Sequence, residues 1–225
     1  MACVEYGKGK MSSPRQILEY LNNHFKDRDL VKNKKITALV TTGPTREYLD
    51  PVRFISNESS GKQGYEVALA LSKLGVKTTL IAGPSKINFS KDIKTKNVTS
   101  GTEMMNKVKS SLPVDIAICA AAVSDFKPLT REKKKMKKKH SNFSTIKLEK
   151  NLDILDFLGK NNKLRPKMVV GFSAETENVI ENSKIKLRDK HCDLIIANDV
   201  SNKNIGFNVD FNKVSIIDKS GKILS

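Results

Sequence analysis

The sequence predicts an α/β protein built on a doubly wound, mostly parallel β-sheet. Three observations point to this class. Short runs rich in Val, Ile and Thr, which are typical of buried strands, alternate along the chain with segments whose apolar residues recur at helical spacing. Polar loops that contain glycine separate the two kinds of segment. Strands that alternate with helices pair in parallel, because each helix carries the chain back to the same end of the sheet.

The first elements form a βαβ unit. Residues 36–41 are a β-branched run that predicts a buried strand. The segment 62–74 predicts a helix, because its apolar residues stand at positions 65, 67, 68, 71 and 74. Gly75 ends this helix, and the run 76–82 predicts a second strand.

The later elements continue the alternation. A helix is predicted over 103–112, with Met104, Met105 and Val108 facing inward. The remaining predictions are a strand over 114–123 that ends in small residues, a short helix to Leu158 capped within Asn151-Leu-Asp-Ile154, a strand over 168–172, a helix over 175–190, a strand over 193–197 and a terminal hairpin over 213–224 around Gly221.

The chain is predicted to consist of two regions. Residues 1–35 are interpreted as a linker region with an N-terminal helix over 13–25, where Pro14 takes the first helical position. Residues 36–225 are interpreted as one domain, because 225 residues of which 38% are hydrophobic suffice for a single α/β core of ordinary size.

Composition excludes several classes of function. Cys3, Cys119 and Cys192 are too few and too scattered for a disulfide framework, and no Cys-x-x-Cys or His-x-x-x-His spacing indicates a zinc site. The sequence contains no apolar run near eighteen residues and no secretion signal. We therefore expect a cytoplasmic protein that does not bind membranes.

The net charge of +17, from 41 Lys+Arg against 24 Asp+Glu, raises the question of nucleic-acid binding. The lysines are spread along the whole chain, and with no Trp and 6% aromatic residues there is no set of stacking positions. We expect no specific nucleic-acid partner, although a basic, sequence-independent binder remains an alternative. The positive field favours encounters with small anions.

Four polar segments follow predicted strands, and the carboxyl ends of parallel strands meet at one edge of a sheet. They are residues 50–64, 120–125, 133–139 and 172–176. The first of them leads into a predicted helix, whose free N–H groups favour phosphate. These segments predict a shared site for a phosphorylated ligand.

Three features of these segments and the helix beyond them allow two interpretations each. Asp125 can bind ligand hydroxyls or a hydrated Mg²⁺, or it can cap a turn. The lysine run 133–139 is either a solvated loop or a lid that orders around a triphosphate. Lys186 and Lys190 project from one face of a helix, where they grip phosphates or lie on the surface.

Six motifs stand out along the chain. They are Thr42-Gly-Pro-Thr-Arg-Glu47, Asp50-Pro-Val-Arg-Phe-Ile-Ser-Asn-x-Ser-Ser-Gly-Lys-x-Gly64, Ala120-Ala-Ala-Val-Ser-Asp125, Lys135-Met-Lys-Lys138, Gly171-Phe-Ser-Ala-Glu-Thr176 and Ala197-Asn-Asp-Val200. Together they resemble one known family, phosphopantothenoylcysteine synthetase of the bacterial type, and the match covers about residues 36–218.

The resemblance implies a Rossmann-like fold and an amide-forming reaction on the route to coenzyme A. In that reaction 4′-phosphopantothenate, L-cysteine and CTP give 4′-phosphopantothenoylcysteine, CMP and pyrophosphate. The carboxylate is first activated as an acyl-cytidylate, and the amine of cysteine then attacks it. Mg²⁺ is required and is held mainly through the phosphates of the nucleotide. The resemblance also implies a homodimer of this domain.

The resemblance further assigns roles to residues of this sequence. Asn57 is implied to bind the acyl-cytidylate and support its conversion, with Arg53 as its companion, and Lys135 is implied in forming that intermediate. The implied nucleotide contacts are Ala120, Ala121, Asp125, Lys135, Asn151, Leu152, Asp153, Ile154, Phe172, Lys186 and Lys190. The implied substrate contacts are Gly43, Asn57, Ser59, Ser60 and Gly61.

The sequence departs from the family pattern at a few positions. Thr42-Gly-Pro-Thr45 replaces the commoner Gly-Gly-Thr turn, Leu152 stands where proline is usual, and Met136 replaces isoleucine. The extra lysines leave the register of the catalytic lysine open within 133–139.

The N-terminal segment 2–14 resembles the end of phosphopantothenoylcysteine decarboxylase, a flavin enzyme that many bacteria fuse to the synthetase. We therefore expect the synthetase part of a bifunctional protein. FMN would belong to the decarboxylase domain only, which leaves Cys3 inert here.

Two other questions remain open from sequence alone. An NAD(P)-dependent reductase would share the βαβ opening, but it should carry Gly-x-Gly-x-x-Gly after the first strand and an acidic residue at the end of the second, where this chain has Ala82-Gly-Pro84. The choice between CTP and ATP is also undecided, because backbone groups are expected to read the base.

Overall fold

The computed structural model describes residues 36–137, 145–160, 163–201 and 214–224. The predicted helix over 13–25, the rest of the segment 1–35 and the last two lysines of the run 133–139 lie outside the described residues. Within the described part, no helix is both long and apolar enough to cross a membrane.

Eleven strands and four helices follow one another along the described chain. The strands are β1 (Thr37–Thr42), β2 (Arg46–Tyr48), β3 (Phe54–Ser56), β4 (Lys77–Ala82), β5 (Lys94–Asn97), β6 (Ile116–Cys119), β7 (Phe126–Pro128), β8 (Leu148–Lys150), β9 (Met168–Glu175), β10 (Leu194–Asp199) and β11 (Val214–Asp218). The helices are α1 (Lys62–Lys73), α2 (Gly101–Lys109), α3 (Ile154–Lys160) and α4 (Val179–Asp189).

Seven of the strands form one sheet, in the order β11-β10-β9-β6-β1-β4-β5. All neighbouring pairs are parallel except β10 and β11, which are antiparallel. From β1 the chain first builds one half of the sheet through β4 and β5, and then returns to build the other half from β6 onward. The strand order therefore reverses between β1 and β6, which is where such sheets bind ligands.

Helices cover both faces of the sheet, as a doubly wound fold requires. On one face the buried side chains of α1 pack with Val40 and Leu80 from the central strands. On the other face α2, α3 and α4 contribute Met104, Leu158 and Leu187 to a second core cluster. The predicted inward positions of α2 are confirmed, whereas Leu74, predicted on the buried face of α1, is 50% exposed because the helix has ended before it.

Several predicted boundaries were wrong for local reasons. The strand predicted over 114–123 ends at Cys119, and the helix predicted over 175–190 begins only at Val179, because β9 continues to Glu175. The cap of α3 lies within the predicted segment: the carboxylate of Asp153 accepts a hydrogen bond from the Asp156 N–H at 2.8 Å, as an N-cap residue does.

Three features were missed, and the terminal hairpin was found. The edge strand β5 consists of Lys94-Thr-Lys-Asn97 and has no apolar run to reveal it. Two short antiparallel hairpins, β2 with β3 and β7 with β8, lie outside the main sheet. At the C-terminus the chain turns back at Gly221, and one bridge between Ile217 and Ile223 closes the predicted hairpin.

The turns after β1 and β4 pack backbone against backbone. A Cβ atom at Gly83 would lie 1.8 Å from the carbonyl oxygen of Pro44, so no side chain fits there. Gly83 also donates its N–H to the Thr42 carbonyl at 2.9 Å. These contacts fix the turn that follows β1, next to the point where the strand order reverses.

We expect Gly83→Ala to destabilise the protein more than Gly75→Ala. Gly75 has a φ of +82°, but no atom of the described residues lies within 4 Å of the position that a Cβ would take. Its substitution should therefore lower the free energy of unfolding by only about 1 kcal/mol, because alanine is strained in the left-handed backbone conformation. Gly83→Ala must instead push the Pro44 carbonyl away, because the new Cβ would lie 1.8 Å from its oxygen. Thermal unfolding should show the larger fall in Tm for Gly83→Ala, and equal Tm values for the two variants would contradict this account of the turn.

Candidate functional site

A cavity of about 670 Å³ opens at the carboxyl ends of the central strands. Its floor is made by Thr41 at the end of β1, Cys119 at the end of β6 and Phe172 in β9. The segment that leads into α3 forms one wall, and α4 forms another. The cavity therefore lies beside the reversal in strand order, where helices and strand ends leave a crevice.

Most of the residues predicted to contact a nucleotide line this cavity. They are Ala121, Asp125, Asn151, Leu152, Asp153, Ile154, Phe172, Lys186 and Lys190. Ala120 and Lys135 are in the predicted set but are not among the lining residues. Ala120 donates its N–H to the Thr41 carbonyl at 3.2 Å and so extends the pairing of β6 with β1, directly before the cavity wall.

Two lysines of α4 reach the cavity but make different contacts. Lys186 Nζ donates to the carbonyl of Phe172 at 3.0 Å. Lys190 Nζ forms an ion pair with Asp153 Oδ2 at 3.0 Å and lies 3.9 Å from Asp156 Oδ1. Hydrogen bonding to Asp153 raises the pKa of Lys190. An anion that binds Lys190 must therefore compete with a carboxylate.

Asp153 is held by its neighbours in the charged form. Partial burial acts to raise its pKa, but the hydrogen bond from the Asp156 N–H and the contact with Lys190 outweigh this and lower the pKa below its ordinary value. The pairing is thus a charged one near neutral pH, with both side chains still partly open to solvent.

Asn151 supports the wall from behind. Its Nδ2 donates to the carbonyl of Ser124 at 3.1 Å and to Glu47 Oε1 at 3.1 Å, while its Oδ1 accepts the N–H of Leu152 at 3.0 Å. Both amide hydrogens are therefore used within the protein. The Asp125 carbonyl also accepts the Asn151 N–H at 2.8 Å, which ties the segment after β6 to the segment before α3.

The segment 50–61, here called the opening loop, is organised by the buried carboxylate of Asp50. Its Oδ1 accepts the N–H groups of Val52 at 2.7 Å and Arg53 at 2.8 Å, and its Oδ2 accepts the N–H of Met136 at 3.2 Å. Arg53 Nη1 lies 3.5 Å from Oδ2. Burial acts to raise the pKa of Asp50, but these backbone hydrogen bonds and the Arg53 charge more than compensate, so the pKa is lowered.

The same contacts bring the lysine run to the opening loop. Arg53 Nη2 donates to the carbonyl of Met136 at 3.1 Å, and the N–H of Glu132 donates to the carbonyl of Leu49 at 2.8 Å. Residues 132–136 are thereby fixed along one side of the loop. Lys135 lies within this fixed segment, and its side chain is exposed.

Asn57 connects the opening loop to the wall of this cavity. Its Nδ2 donates to the carbonyl of Val123 at 3.1 Å, and Val123 lines the cavity. Asn57 itself is exposed to solvent. The residues predicted to act on the acyl group and those predicted to contact the nucleotide thus come from segments that touch each other.

The remaining predicted substrate residues gather at the start of α1. Thr42 Oγ1 donates to the Gly61 carbonyl at 2.6 Å, and Gly61 packs so closely on Gly43 that a Cβ on Gly61 would lie 3.0 Å from the Gly43 Cα. Ser59 Oγ accepts the Gly61 N–H at 3.2 Å, and Ser60 Oγ accepts the Lys62 N–H at 3.3 Å. The loop is compact because both glycines take positive φ angles, 76° and 79°.

Sequence reasoning missed several residues of this site. Thr41 lines the cavity and its Oγ1 accepts the Ala121 N–H at 3.3 Å, while Asn182 of α4 lines the opposite wall. Glu47 was named only as part of a motif, yet it contacts Asn151. No local pattern marks Glu47, because its two partners lie 54 and 104 residues away in the sequence.

The described residues contain neither a reactive thiol nor a cluster of side chains that could hold a metal ion without other ligands. Burial raises the pKa of the Cys119 thiol far above its ordinary value and that of Cys192 to about 12, so both remain protonated. No group of three or more His, Cys, Asp or Glu side chains within the described ranges is arranged to hold a metal ion.

Comparisons with known proteins identify the family. Residues 32–225 match the family model described as the DNA/pantothenate metabolism flavoprotein C-terminal domain. The chain is 41% identical over 221 residues to the coenzyme A biosynthesis bifunctional protein CoaBC of Haemophilus influenzae, covering 98% of this chain and 54% of that protein. It is 39% identical over 223 residues to the Bacillus subtilis protein of the same name, covering 98% and 54%.

A solved structure of the same kind of protein is similar to this chain in sequence and in fold. The crystal structure of the C-terminal domain of a coenzyme A biosynthesis bifunctional protein CoaBC superposes with a TM-score of 0.70 at 35% identity, covering 85% of each chain. The chain spans about half the length of the curated relatives it matches. On the match of residues 32–225, the chain belongs to the family of the DNA/pantothenate metabolism flavoprotein C-terminal domain.

Proposed function

We propose that this chain joins 4′-phosphopantothenate to L-cysteine, with CTP as the activating nucleotide. The observation that carries the proposal is the joining of three motif segments at one sheet edge: Asn57 bonds to the wall of the nucleotide-side cavity, and Asp50 and Arg53 hold the lysine run beside it. Relatives named for coenzyme A biosynthesis, at 39–41% identity, support the same reaction. CTP rather than ATP is proposed from the family resemblance.

The first step activates a carboxylate that is otherwise a poor acylating agent. A carboxylate oxygen of 4′-phosphopantothenate forms a bond to the α-phosphorus of CTP, the bond from that phosphorus to the β-phosphate bridge breaks, and pyrophosphate leaves. Negative charge accumulates on the phosphates, so preorganised cations lower the barrier. We assign this role to Lys135, in the segment that Arg53 and Asp50 hold in place.

The second step forms the amide. The amine of cysteine attacks the acyl carbon, the carbon–oxygen bond to CMP breaks, and the amine gives up one proton. We assign Asn57 to bind the acyl-cytidylate and orient its carbonyl group, since the Asn57 amide lies at the junction of the opening loop and the cavity. Orientation of this kind is a large part of the catalysis of bimolecular steps.

The nucleotide is proposed to lie in the 670 Å³ cavity. Lys186 and Lys190 would contact its phosphates, and the exposed carboxylate of Asp125 would contact its hydroxyl groups. Mg²⁺ would be held mainly by the phosphates, where it neutralises charge. FMN takes no part in this reaction and is expected only in a decarboxylase domain.

A homodimer is proposed from the surface of the two hairpins. Strands β2–β3 and β7–β8, together with the residue that follows β7, expose large apolar side chains, including Phe54, Leu129 and Leu148 at 40%, 52% and 47%. An apolar surface of this kind favours burial against another protein. A second copy of the chain is the partner that the resemblance implies, and it would lie close to the opening loop.

The reaction predicts distinct defects for two variants. Asn57→Asp should still release pyrophosphate from CTP in the presence of 4′-phosphopantothenate but form at least about 10²-fold less amide. Lys135→Gln should instead lose the pyrophosphate release by a similar factor, because the first step needs the cation. Pyrophosphate release and amide formation, with and without cysteine, measure the two steps.

Controls for this experiment come from the same chain. Lys91→Gln changes an exposed lysine outside the site and should behave as the parent. Lys134→Gln and Lys137→Gln determine the register of the catalytic lysine. The proposed function is wrong if the parent consumes neither CTP nor ATP, and the two role assignments are wrong if both variants match the parent.

Asp50→Asn should slow the first step about tenfold or more, because it breaks the anchor of the lysine segment. Asparagine can still accept the N–H groups of Val52 and Arg53, but its amide group turns a donor toward the Met136 N–H. A misplaced catalytic group costs rate even when it is present. Asp92→Asn, at an exposed carboxylate outside the site, is the matched control, and an unchanged rate of pyrophosphate release in Asp50→Asn would refute the anchor.

The same carboxylate predicts a pH dependence of stability. Because folding lowers the pKa of Asp50 from 3.8, its contribution is fully present above that value and is lost as the pH falls through the folded-state pKa. The stability difference between the parent and Asp50→Asn should therefore stay constant above about pH 5 and shrink at more acid pH. Urea unfolding at several pH values measures it, and a difference that grows on acidification would contradict the account.

Dimer formation is tested by size-exclusion chromatography with light scattering. The parent should elute as a dimer, and Leu129→Ser with Leu148→Ser should shift it toward monomer, because both side chains lose apolar contact area. Leu74→Ser changes an equally exposed leucine away from the hairpins and should leave the dimer intact. A monomeric parent at micromolar concentration would overturn the proposal.

A further inference from the structure

Glu47 is a buried acid that the proposed reaction does not use. It lies in β2 with 4% of its surface exposed. Its Oε1 accepts two hydrogen bonds, from the Gly101 N–H at 2.8 Å and from Asn151 Nδ2 at 3.1 Å. A buried carboxylate is unfavourable unless polar groups satisfy it, so these two donors account for its presence in the interior.

The two donors come from distant parts of the chain, 54 and 104 residues from Glu47. Gly101 is the first residue of α2, and a Cβ atom on it would lie 2.6 Å from Asn151 Nδ2. The start of α2 therefore leaves room for the Asn151 side chain to reach Glu47. The absence of a side chain at position 101 and the acid at position 47 form one packing arrangement.

Asn151 also forms hydrogen bonds to the segment that forms part of the cavity wall. Its second Nδ2 hydrogen goes to the Ser124 carbonyl at 3.1 Å, and its own N–H goes to the Asp125 carbonyl at 2.8 Å. Asn151 thus joins the segment that carries Asp125 to the segment that carries Asp153. Glu47 therefore holds the side-chain amide through which Asn151 bonds to the Ser124 carbonyl.

We propose that Glu47 is a positioning residue for the nucleotide, acting through Asn151 rather than by contact with the ligand. This rests on the proposed function of the cavity. It also changes the interpretation of Asn151, whose side chain builds the wall instead of contacting the nucleotide through its amide hydrogens. Glu47 stands three residues before Asp50. Two acids of one short segment therefore act on different parts of the site: Glu47 orients the cavity wall through Asn151, and Asp50 holds the lysine run through Met136.

The role is tested with two variants of Glu47. Glu47→Ala removes the acceptor and should raise the KM for CTP about tenfold, because loss of a buried hydrogen-bond partner frees Asn151 to reorient. The KM for 4′-phosphopantothenate should stay within about twofold, since that substrate is bound on the opening loop. Glu47→Gln keeps an acceptor oxygen in the same place and should restore most of the affinity.

Glu103→Ala is the matched control. Glu103 Oε2 accepts the Thr99 N–H at 2.8 Å at the start of the same helix, so its loss weakens α2 as Glu47→Ala does. The Asn151 amide bonds to Glu47 and Ser124 rather than to Glu103, so the KM for CTP should not change. Equal rises in the KM values of both substrates in Glu47→Ala, or the same rise in Glu103→Ala, would reduce Glu47 to a purely structural role and overturn the proposal.

Amide hydrogen exchange provides a readout that does not depend on activity. Glu47→Ala should speed exchange in residues 124–126 and 151–158, whereas Glu103→Ala should speed it only at the start of α2. Unchanged exchange in both segments of Glu47→Ala would overturn the positioning role even in an active enzyme. If the parent releases no pyrophosphate from CTP or ATP, the proposed function fails, and the exchange result still decides whether Glu47 positions the wall.

Discussion

The buried carboxylate of Asp50 is the constraint on which the arrangement of the site depends. A carboxylate removed from water must accept hydrogen bonds from the protein. That of Asp50 accepts them from three backbone N–H groups, which belong to two separate segments. The opening loop supplies two of them and the lysine run supplies the third at Met136. Neither segment can leave its place without exposing an unsatisfied carboxylate, so the geometry of residues 132–136 is set by an interior charge rather than by their own lysine-rich sequence.

The sheet determines where these segments meet. At the reversal in strand order between β1 and β6, the loops that follow these two strands stay paired: the Ala122 N–H donates to the Gly43 carbonyl at 3.0 Å, and the Ser124 N–H donates to Thr45 Oγ1 at 3.1 Å. Asn57 of the opening loop bonds to the second of these loops at the Val123 carbonyl, and the cavity beside them is lined by Val123 and by the segments around Asp125 and Asp153. The proposed reaction must hold an acyl group and a nucleotide phosphate in contact, and an opening loop that is bonded to the wall of the cavity is suited to that task.

The regular core was predictable from sequence, whereas the irregular parts were not. The strands β1, β4 and β10 and the helix α1 were predictable because β-branched runs and helical spacing report burial directly. The strand β5 was not, since an edge strand of lysine, threonine and asparagine has no apolar pattern. The contact of Glu47 with Asn151 spans 104 residues, and no local pattern encodes such a pairing. The family resemblance named most residues of the cavity wall. Only the three-dimensional structure distinguishes the residues that line the cavity from those, such as Glu47, that support the wall by hydrogen bonds.

The ion pair between Lys190 and Asp153 alters what the positive charge of this protein means for an anionic ligand. A phosphate that takes Lys190 displaces a carboxylate, so binding there exchanges one anion for another and adds no new pair of opposite charges. Dissolved salt screens the pair that is broken as well as the pair that is formed. For the proposed nucleotide site we therefore expect an affinity that depends less on the net charge of +17 than on geometry, and that changes less with ionic strength than binding to unpaired lysines would.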